Sequence, residues 1–457
     1  MSEYGIPEKS YNLIINSFKR FNDIEKVILF GSRAIGNFKP GSDIDIAVIG
    51  NNVDDNLIKE LSVLINQKIP VPYSADILNF NTIKNKSLTE HINTYGKTIY
   101  RKQHYFINGA ASISPQNSLN YNEFLKDMLI YEDDYLKSVK PNYKDFMKPI
   151  EARRMSKTVK NGIICSQIAM QQAEITIPDA IIFGTGLGIV SDTEKFLKKM
   201  LIDKEQFLTP TSFIQSTHNT VAGQIAGRIK CHNYNFTYVN RGFSFESALL
   251  DAMMHLKEGK KNILVGGGDE ITDHYYHIIK KTGFWKKNAS KNTNLLKYET
   301  PGALCGEAVS FFVLSDDIKQ ETYVELKDLK MFYKPKNVFE IQNTITDFLK
   351  QNNLQNSDID LIITGHSGNK TDDEIYDTVL SSEFPETPSA YYKHLCGEFQ
   401  TASAFALWLG ANIIKIQEFP DFIKLNDKPS KKLNNVLIYN HYFNINHSLM
   451  LLKKVES

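Results

Sequence analysis

The chain has 457 residues, of which 42% are hydrophobic and 23% charged, and its formal net charge is +1. This composition is ordinary for a soluble globular protein. No long run of Lys and Arg stands out, and we therefore expect no nucleic-acid partner. The length predicts two to four domains, each large enough to bury a core.

The four cysteines, Cys165, Cys231, Cys305 and Cys396, are scattered singly and form no CxxC pair. This spacing argues against a zinc site and against a disulfide framework. The N-terminus lacks a basic segment followed by an apolar one, and no apolar run approaches the ~20 residues of a membrane span. We therefore expect a cytoplasmic protein with no membrane partner.

The first hundred residues alternate between helical and extended patterns. A helix is predicted where Leu13, Ile14, Phe18 and Phe21 recur at helical spacing, and strands where short apolar runs occur. The predicted order is helix 9–21, strand 26–30, strand 43–49, helix 55–66, strand 73–80 and helix 81–95. These elements predict a compact α/β unit over residues 1–101.

A second unit is predicted over residues 104–457, and it follows the first without a Gly/Ser-rich or Pro-rich linker. Strand and helix patterns alternate to its end, in stretches such as "AIIFGTGLG", "NILVGGGDE", "LIITGHSGN", "DDEIYDTVL" and "LMLLKK". The pattern predicts a large α/β domain. No short-period repeat is present, although two similar halves remain compatible with the pattern.

Acidic residues mark a candidate site in the first unit. Asp43 and Asp45 lie two residues apart in the predicted strand "DIDIAVI", so their side chains share one face, and Asp76 lies on the next strand. Carboxylates on one face repel each other unless a cation lies between them, and Mg²⁺ favours carboxylate and phosphate oxygens. Upstream, Gly31 and Ser32 follow a strand, where a backbone turn can approach a phosphate. The pattern predicts a site for a metal ion and a triphosphate.

The stretch "GSRAIGNFKPGSDID" resembles the signature of the minimal nucleotidyltransferases of the polymerase-beta superfamily. The resemblance implies that Asp43, Asp45 and Asp76 bind Mg²⁺ and carry the catalysis. It also implies that Gly31 and Ser32, with Arg33 nearby, hold ATP as the donor of AMP. Members of this superfamily often pair with a small helical toxin, which is therefore a candidate partner.

Five stretches of the second unit, in order, resemble the ketosynthases of fatty-acid and polyketide synthesis, which have the layered αβαβα thiolase fold. They are "FINGAASISPQ", "IIFGTGLG", "GKKNILVGGGDE", "CGEAVSFFVLSD" and "KHLCGEFQTASA". The last is similar to a family segment written GHxxGAAG, which carries a catalytic histidine. The implied fold class is therefore α/β throughout, an α+β nucleotidyltransferase domain followed by a thiolase-like domain.

Decarboxylative condensation in this family needs a cysteine nucleophile and two histidines. The aligned cysteine position is Gly242, and the first histidine position is Gly365. Only His394 is predicted to occupy a family histidine position, and it is the one catalytic residue that we assign to this unit. A hydrogen-bonded core histidine is the alternative for His394.

Three residues could substitute for the missing groups: Ser244 or Cys396 as a nucleophile, and His366 as a histidine. Phe243 and Phe245 flank the nucleophile position, where they could cap an acyl tunnel or simply pack in the core. These alternatives remain open on the sequence alone.

A ketosynthase fold without its cysteine is similar to a chain-length factor, and "NRGFSFESALLDA" resembles proteins of aryl-polyene pigment pathways. The resemblance implies a non-condensing partner that needs no cofactor, binds acyl carrier protein and forms a heterodimer with an active ketosynthase or a homodimer. The alternatives are an active 3-oxoacyl synthase with a substitute nucleophile and a non-catalytic interaction protein.

Overall fold

The structure is a computed structural model of the chain. It describes residues 4–21, 23–50, 52–133, 135–206, 208, 210–288, 291–297, 299–429 and 432–455. The chain divides into two compact units, Met1–Gln103 and His104–Ser457, and each is described by itself.

The first unit is built from short helices around one small sheet. Its elements are α1 Glu8–Phe18, β1 Lys26–Phe30, α2 Gly31–Ile35, β2 Ile44–Ile49, α3 Asp55–Val63, β3 Ala75–Asn79, α4 Lys86–Tyr95 and β4 Lys97–Arg101. Asp54 and Asn85 begin α3 and α4 by accepting hydrogen bonds from the first-turn amides of those helices. A π-helical turn over Leu64–Lys68 follows α3.

The strand order of the first sheet is β3-β2-β1-β4. β1 is antiparallel to both β2 and β4, whereas β2 and β3 are parallel. One face of β1 and β2 is buried with α1 in one hydrophobic cluster, and the other face is buried with Ile92 of α4 in a second. Burial on both faces explains why the apolar run "KVILF" forms a central strand. The parallel pair β2–β3 places the residues of "DID" beside those of "SAD".

The second unit contains one long sheet and one short one. Its strands are β5 Phe106–Ile113, β6 Tyr135–Leu136, β7 Ala180–Gly184, β8 Tyr234–Tyr238, β9 Asn262–Asp269, β10 Cys305–Gly306, β11 Ala308–Ser315, β12 Val324–Tyr333, β13 Leu361–Thr364, β14 Ser389–Tyr391, β15 Asn435–Tyr442 and β16 Asn446–Lys453. Its helices are α5 Tyr121–Phe124, α6 Pro149–Ala152, α7 Lys157–Gln172, α8 Val190–Ile202, α9 Pro210–Gln215, α10 Thr220–Ile229, α11 Ser244–Lys257, α12 Asp273–Lys280, α13 Val338–Gln351, α14 Lys370–Glu383, α15 Lys393–Cys396 and α16 Ala402–Ile416.

The long sheet consists of two halves with the same topology. Its order is β14-β13-β15-β16-β12-β5-β11-β9-β7-β8. In one half, β7 is parallel to β8 and β9, and β11 is antiparallel to β9 and β5. In the other half, β13 is parallel to β14 and β15, and β16 is antiparallel to β15 and β12. The halves meet where β12 pairs with β5. The unit is therefore an internal duplication.

Two helices, α11 and α16, occupy equivalent places in the halves and contact each other. α16 is buried from Ala402 to Ile414 and contacts strands of both halves, as expected for a helix that is apolar on all sides. α7 and α10 cover the outer face of one half, and α13 and α14 cover the other. The resulting αβαβα layering confirms the predicted thiolase-like fold.

Among the residues that the structure describes, no helix is both long enough and apolar enough to cross a membrane.

Candidate functional sites

The three acidic residues of the first unit lie on one face of its sheet. Asp45 is in register with Asp76 across the parallel strands β2 and β3. Asp43 precedes β2 and shares the face of Asp45, because strand side chains alternate. Phe30, the last residue of β1, is in register with Asp45 on the other side. The fold thus brings the acidic residues to the end of β1, where the Gly-Ser turn begins.

Mutual repulsion is built into this acidic group. Burial raises the pKa of Asp45 above its usual value, and the charges of Asp76 and Asp43 raise it further, while Arg33 lowers it. Across the described residues, however, no three Asp, Glu, His or Cys side chains form a ready-made metal cluster. A Mg²⁺ ion commonly takes only one or two carboxylates and completes its shell with water and phosphate oxygens. The donor set fits a metal ion that arrives with a nucleotide.

Gly31 has a specific steric role beside the acidic residues. Its φ is +70°, a left-handed conformation that favours glycine, and a Cβ there would collide with Oδ2 of Asp45. The turn after β1 can therefore press against this carboxylate only because residue 31 lacks a side chain. Ser32 is half-buried in the same turn, where its carbonyl accepts hydrogen bonds from the amides of Gly36 and Asn37.

Arg33 requires a correction of the predicted nucleotide contact. Its side chain is only 1% exposed, and its guanidinium donates to the carbonyls of Tyr4, Ser42 and Asp43. A buried group with these partners is not available to a phosphate. Arg33 instead holds the backbone that leads into β2.

In the second unit, the nucleophile position at Gly242 is filled by a neighbour. Gly242 lies in the turn before α11, and a Cβ there would lie 2.5 Å from Cβ and 2.9 Å from Cγ of Tyr442. Real side chains do not approach this closely, so Tyr442 would have to move for any side chain to fit. The space that a cysteine would need is occupied.

The first histidine position, Gly365, is filled as well. A Cβ at this glycine would lie 2.6 Å from Oδ1 of Asn440, 2.6 Å from the hydroxyl of Tyr376 and 3.0 Å from Nζ of Lys393. Lys393 is fully buried, pairs with Glu398 at 2.6 Å and donates to the carbonyl of His441 at 3.1 Å. The predicted histidine position is therefore surrounded by polar side chains that already have hydrogen-bond partners.

His394, which was predicted to be the catalytic histidine, lies in the core of the second unit. Its ring is fully buried and stacked on Tyr391 at 4.0 Å, and burial lowers its pKa to about 3. The motif GHxxGAAG can also be aligned with Gly397 as its first glycine, which places Glu398 in the histidine position. Glu398 is also the residue that reaches Lys393 beside Gly365. His394 is thus packed among core residues, and its catalytic role stays a prediction.

Ser244, Cys396 and His366 were the possible replacements for the missing nucleophile and histidine. Each of them is held in the local structure. The Ser244 hydroxyl donates to the carbonyl of Arg241 and accepts from the amide of Asn240. Burial raises the pKa of the Cys396 thiol well above its usual range, which disfavours the thiolate. His366 lies between Thr364 and Asp377 through its two ring nitrogens.

Two other features of the motifs are structural. Phe245 is fully buried and packs against Phe312, with ring centroids 5.8 Å apart, so it belongs to the core. Asp269 of "VGGGDE" accepts hydrogen bonds from the hydroxyls of Thr185 and Thr401 and from the amides of Gly186 and Leu187. This carboxylate links the ends of β7 and β9 to the start of α16.

A basic surface segment was missed because its charges are spread out. Residues 137–160 contain eight Lys or Arg residues against two acidic ones, in a chain whose net charge is +1. Within the segment, Lys140, Lys144, Lys148, Arg153 and Arg154 are exposed. Counting charge in a window of about 25 residues, rather than searching for a run, finds this segment. We call residues 137–160 the basic segment.

The outer edge of β8 carries exposed apolar side chains. β8 ends the long sheet, and no described strand pairs with its outer edge. Phe236 is 46% exposed and Val239 49%, and Leu250 and Met254 of the neighbouring α11 are exposed beside them. Unpaired edges with apolar side chains favour association with another chain.

Comparison with protein families assigns a class to each unit. Residues 12–105 match the family "Polymerase beta, Nucleotidyltransferase", and residues 132–296 match "Beta-ketoacyl synthase, N-terminal domain". None of the curated proteins that were searched matches the chain.

Solved structures with the same fold cover the second unit. An ishigamide ketosynthase/chain length factor matches with a TM-score of 0.64 and 14% identity, over 78% of this chain and 100% of that chain. A beta-ketoacyl synthase from Burkholderia phymatum STM815 gives the same values. A ketosynthase in complex with its chain length factor, from Xenorhabdus doucetiae, matches with a TM-score of 0.59 and 14% identity, over 77% of this chain and 98% of that chain. At these identities the likeness establishes the fold.

The chain is therefore a two-domain protein of the nucleotidyltransferase and ketosynthase-like classes. Specifically, it joins an N-terminal domain of the polymerase-beta nucleotidyltransferase family to a ketosynthase-like domain with the thiolase fold.

Proposed function

We propose that the first domain transfers AMP from ATP to an acceptor in a reaction that depends on Mg²⁺. The observation that carries the proposal is the placement of Asp43, Asp45 and Asp76 on one sheet face, beside a turn that Gly31 allows to approach them. Repulsion among the carboxylates favours a divalent cation between them. The family match of residues 12–105 supports the same class of reaction.

The residues divide the chemical work as follows. Asp43 and Asp45 would hold the cation, which when bound neutralises phosphate charge and aligns the reacting oxygens. Asp76, on the neighbouring strand, would complete the acidic set and orient the acceptor hydroxyl. Gly31 and Ser32 place backbone groups near the triphosphate. The acceptor oxygen would attack the α-phosphorus and give its proton to Asp76, while the bond from the α-phosphorus to the bridging oxygen breaks and pyrophosphate leaves.

The test is transfer of label from ATP by the full chain. We expect label from the α-phosphate to appear on an acceptor when Mg²⁺ is present. When EDTA is included from the start, no label should be transferred. Candidate acceptors include a small helical toxin, which stays a prediction from the family resemblance. Label transfer that persists in excess EDTA would contradict the metal-dependent reaction.

We propose that the second domain is a non-condensing partner in acyl-chain synthesis, similar in role to a chain-length factor. The carrying observation is that Tyr442 fills the nucleophile position, while Lys393, Tyr376 and Asn440 fill the first histidine position. Neighbouring side chains occupy the space at both positions. Restoring a cysteine and a histidine there would therefore not be enough to restore condensation. An aryl-polyene pathway is the setting that the sequence resemblance favours.

Two surfaces support the proposed partners of this domain. The outer edge of β8 suits pairing with a second chain of the same fold, either an active ketosynthase or another copy. The basic segment suits an acidic acyl carrier protein, because clustered positive charge attracts an acidic partner and orients it. Among the similar structures are a ketosynthase bound to its chain length factor and one bound to an acyl-carrier protein.

Charge reversal in the basic segment tests the carrier-protein interaction. The triple variant Lys144→Glu/Arg153→Glu/Arg154→Glu should bind acyl carrier protein roughly ten-fold more weakly at low salt, because steering by exposed charge is lost. Surface plasmon resonance at two salt concentrations measures the effect, and high salt should narrow the difference.

The matched control reverses the same number of charges elsewhere. The variant Lys330→Glu/Lys336→Glu/Lys350→Glu changes three exposed lysines outside the basic segment and should bind the carrier protein like wild type. Equal weakening by both triples would show that only net charge matters and would contradict docking at the basic segment.

A further inference from the structure

Arg33 makes an unusual set of contacts for a buried cation. Its Nη2 donates to the carbonyl of Ser42 at 2.6 Å, and its Nε lies 3.1 Å from the carbonyls of Ser42 and Asp43. Its Nη1 donates to the carbonyl of Tyr4 at 3.0 Å. Arg33 forms these bonds while 1% exposed, so the guanidinium is committed to backbone oxygens.

Two aromatic rings also contact the guanidinium of Arg33. Its carbon lies 4.4 Å from the ring centroid of Tyr73 and 5.4 Å from that of Phe38, distances typical of cation–π contacts. Tyr73 comes just before β3, and the adjacent Ser74 accepts a hydrogen bond from the amide of Ile44 at the start of β2. Arg33 thus contacts the entry of both strands that carry the acidic residues.

We propose that Arg33 is a positioning residue that sets the spacing of Asp43, Asp45 and Asp76 for a divalent cation. The inference rests on the proposed nucleotidyl transfer. A hydrogen bond to the carbonyl of Asp43 fixes the backbone from which that carboxylate extends. A planar guanidinium can reach several carbonyls at once and lie against a ring, whereas the point charge of lysine cannot reproduce this geometry.

Cation affinity of the full chain tests the role without requiring an acceptor. Mn²⁺ binding in the presence of a non-hydrolysable ATP analogue can be followed by electron paramagnetic resonance, with thermal unfolding recorded in parallel. We expect Arg33→Lys to weaken Mn²⁺ binding by about ten-fold or more. Losses of this size are typical when a residue that orients a metal ligand, without contacting the metal, is replaced. Tyr73→Phe keeps the ring and should bind like wild type.

Two further variants separate positioning from simple stability. Asp45→Asn should lose Mn²⁺ binding and so locates the signal at this site. Tyr73→Leu keeps the carbonyl bonds of Arg33 and removes only the ring, so it should weaken binding by less than Arg33→Lys. If Arg33→Lys does not fold, a Tyr73→Leu protein that binds less tightly than wild type supports the proposal, and an unchanged affinity overturns it.

The possible outcomes are distinct. A folded Arg33→Lys protein that melts earlier but binds Mn²⁺ with wild-type affinity would show a purely structural role and overturn the inference. A wild-type protein that binds no Mn²⁺ would instead refute the proposed function, and this inference with it.

Discussion

Replacing Asp43 and Asp45 together by asparagine should abolish transfer of the α-phosphate label from ATP. Loss of the cation-binding carboxylates removes several kcal/mol of charge stabilisation, which corresponds to at least about 1,000-fold in rate. The variant should still fold, because Asp43 is exposed and Asp45 only half-buried. Label transfer per mole of folded protein is the measurement. The control Asp55→Asn/Glu60→Gln removes two exposed acids of the same domain and should retain activity.

The single variant Asp45→Asn should also stabilise the domain in a pH-dependent way. The pKa of Asp45 is raised in the folded state, so its charged form is penalised there. The resulting loss of folding stability begins as pH rises through about 3.9, the pKa of Asp in the unfolded chain. The loss is complete above the pKa of Asp45 in the folded chain. We therefore expect the variant to melt higher than wild type at pH 7, with no difference at pH 3. A lower melting temperature at pH 7 would contradict a penalty on the charged Asp45 carboxylate from burial and from the nearby Asp76 and Asp43.

Installing a cysteine at Gly242, the predicted nucleophile position, should not create a condensing enzyme. Gly242→Cys places atoms against Tyr442, and such overpacking typically costs about 1–3 kcal/mol. We expect a lower free energy of unfolding in urea and, by mass spectrometry, no acyl adduct after incubation with acyl-loaded carrier protein. Wild type should carry no adduct either.

Two further variants test whether the collision with Tyr442 causes the loss of stability in Gly242→Cys. Gly242→Ala adds only a Cβ and should show most of the same loss, because the collision begins at that atom. Gly242→Cys/Tyr442→Ala removes the obstruction, so its loss of stability should be smaller than the sum of the losses of Gly242→Cys and Tyr442→Ala measured singly. A Gly242→Cys protein as stable as wild type, with an acyl group on the new thiol, would refute the filled-site interpretation.

Much of the fold was predictable because its strands are continuous apolar runs. The strand "KVILF" was predicted over 26–30 and forms β1 Lys26–Phe30. The edge strand β4 was missed because its sequence "KTIYR" is polar and largely exposed. The duplication in the second domain was invisible because it lies in the order and direction of strand pairing, which sequence periodicity does not encode.

The sites were predictable to different depths. The spacing of "DID" and the following strand placed Asp43, Asp45 and Asp76 on adjacent strands, because parallel pairing preserves a shared face. The role of Arg33 could not be read, because its partners are backbone carbonyls. The histidine position can be assigned to His394 or to Glu398, because the motif has few fixed residues and both alignments match it at two of them.

The most direct test of the central claim compares the two ends of the triphosphate. The full chain is incubated with Mg²⁺ and ATP that carries label at the α-phosphate in one sample and at the γ-phosphate in the other. Nucleotidyl transfer predicts that the α-label becomes attached to the acceptor while the γ-label leaves as pyrophosphate. Attachment of the γ-label, with the α-label left on ADP, would contradict the account.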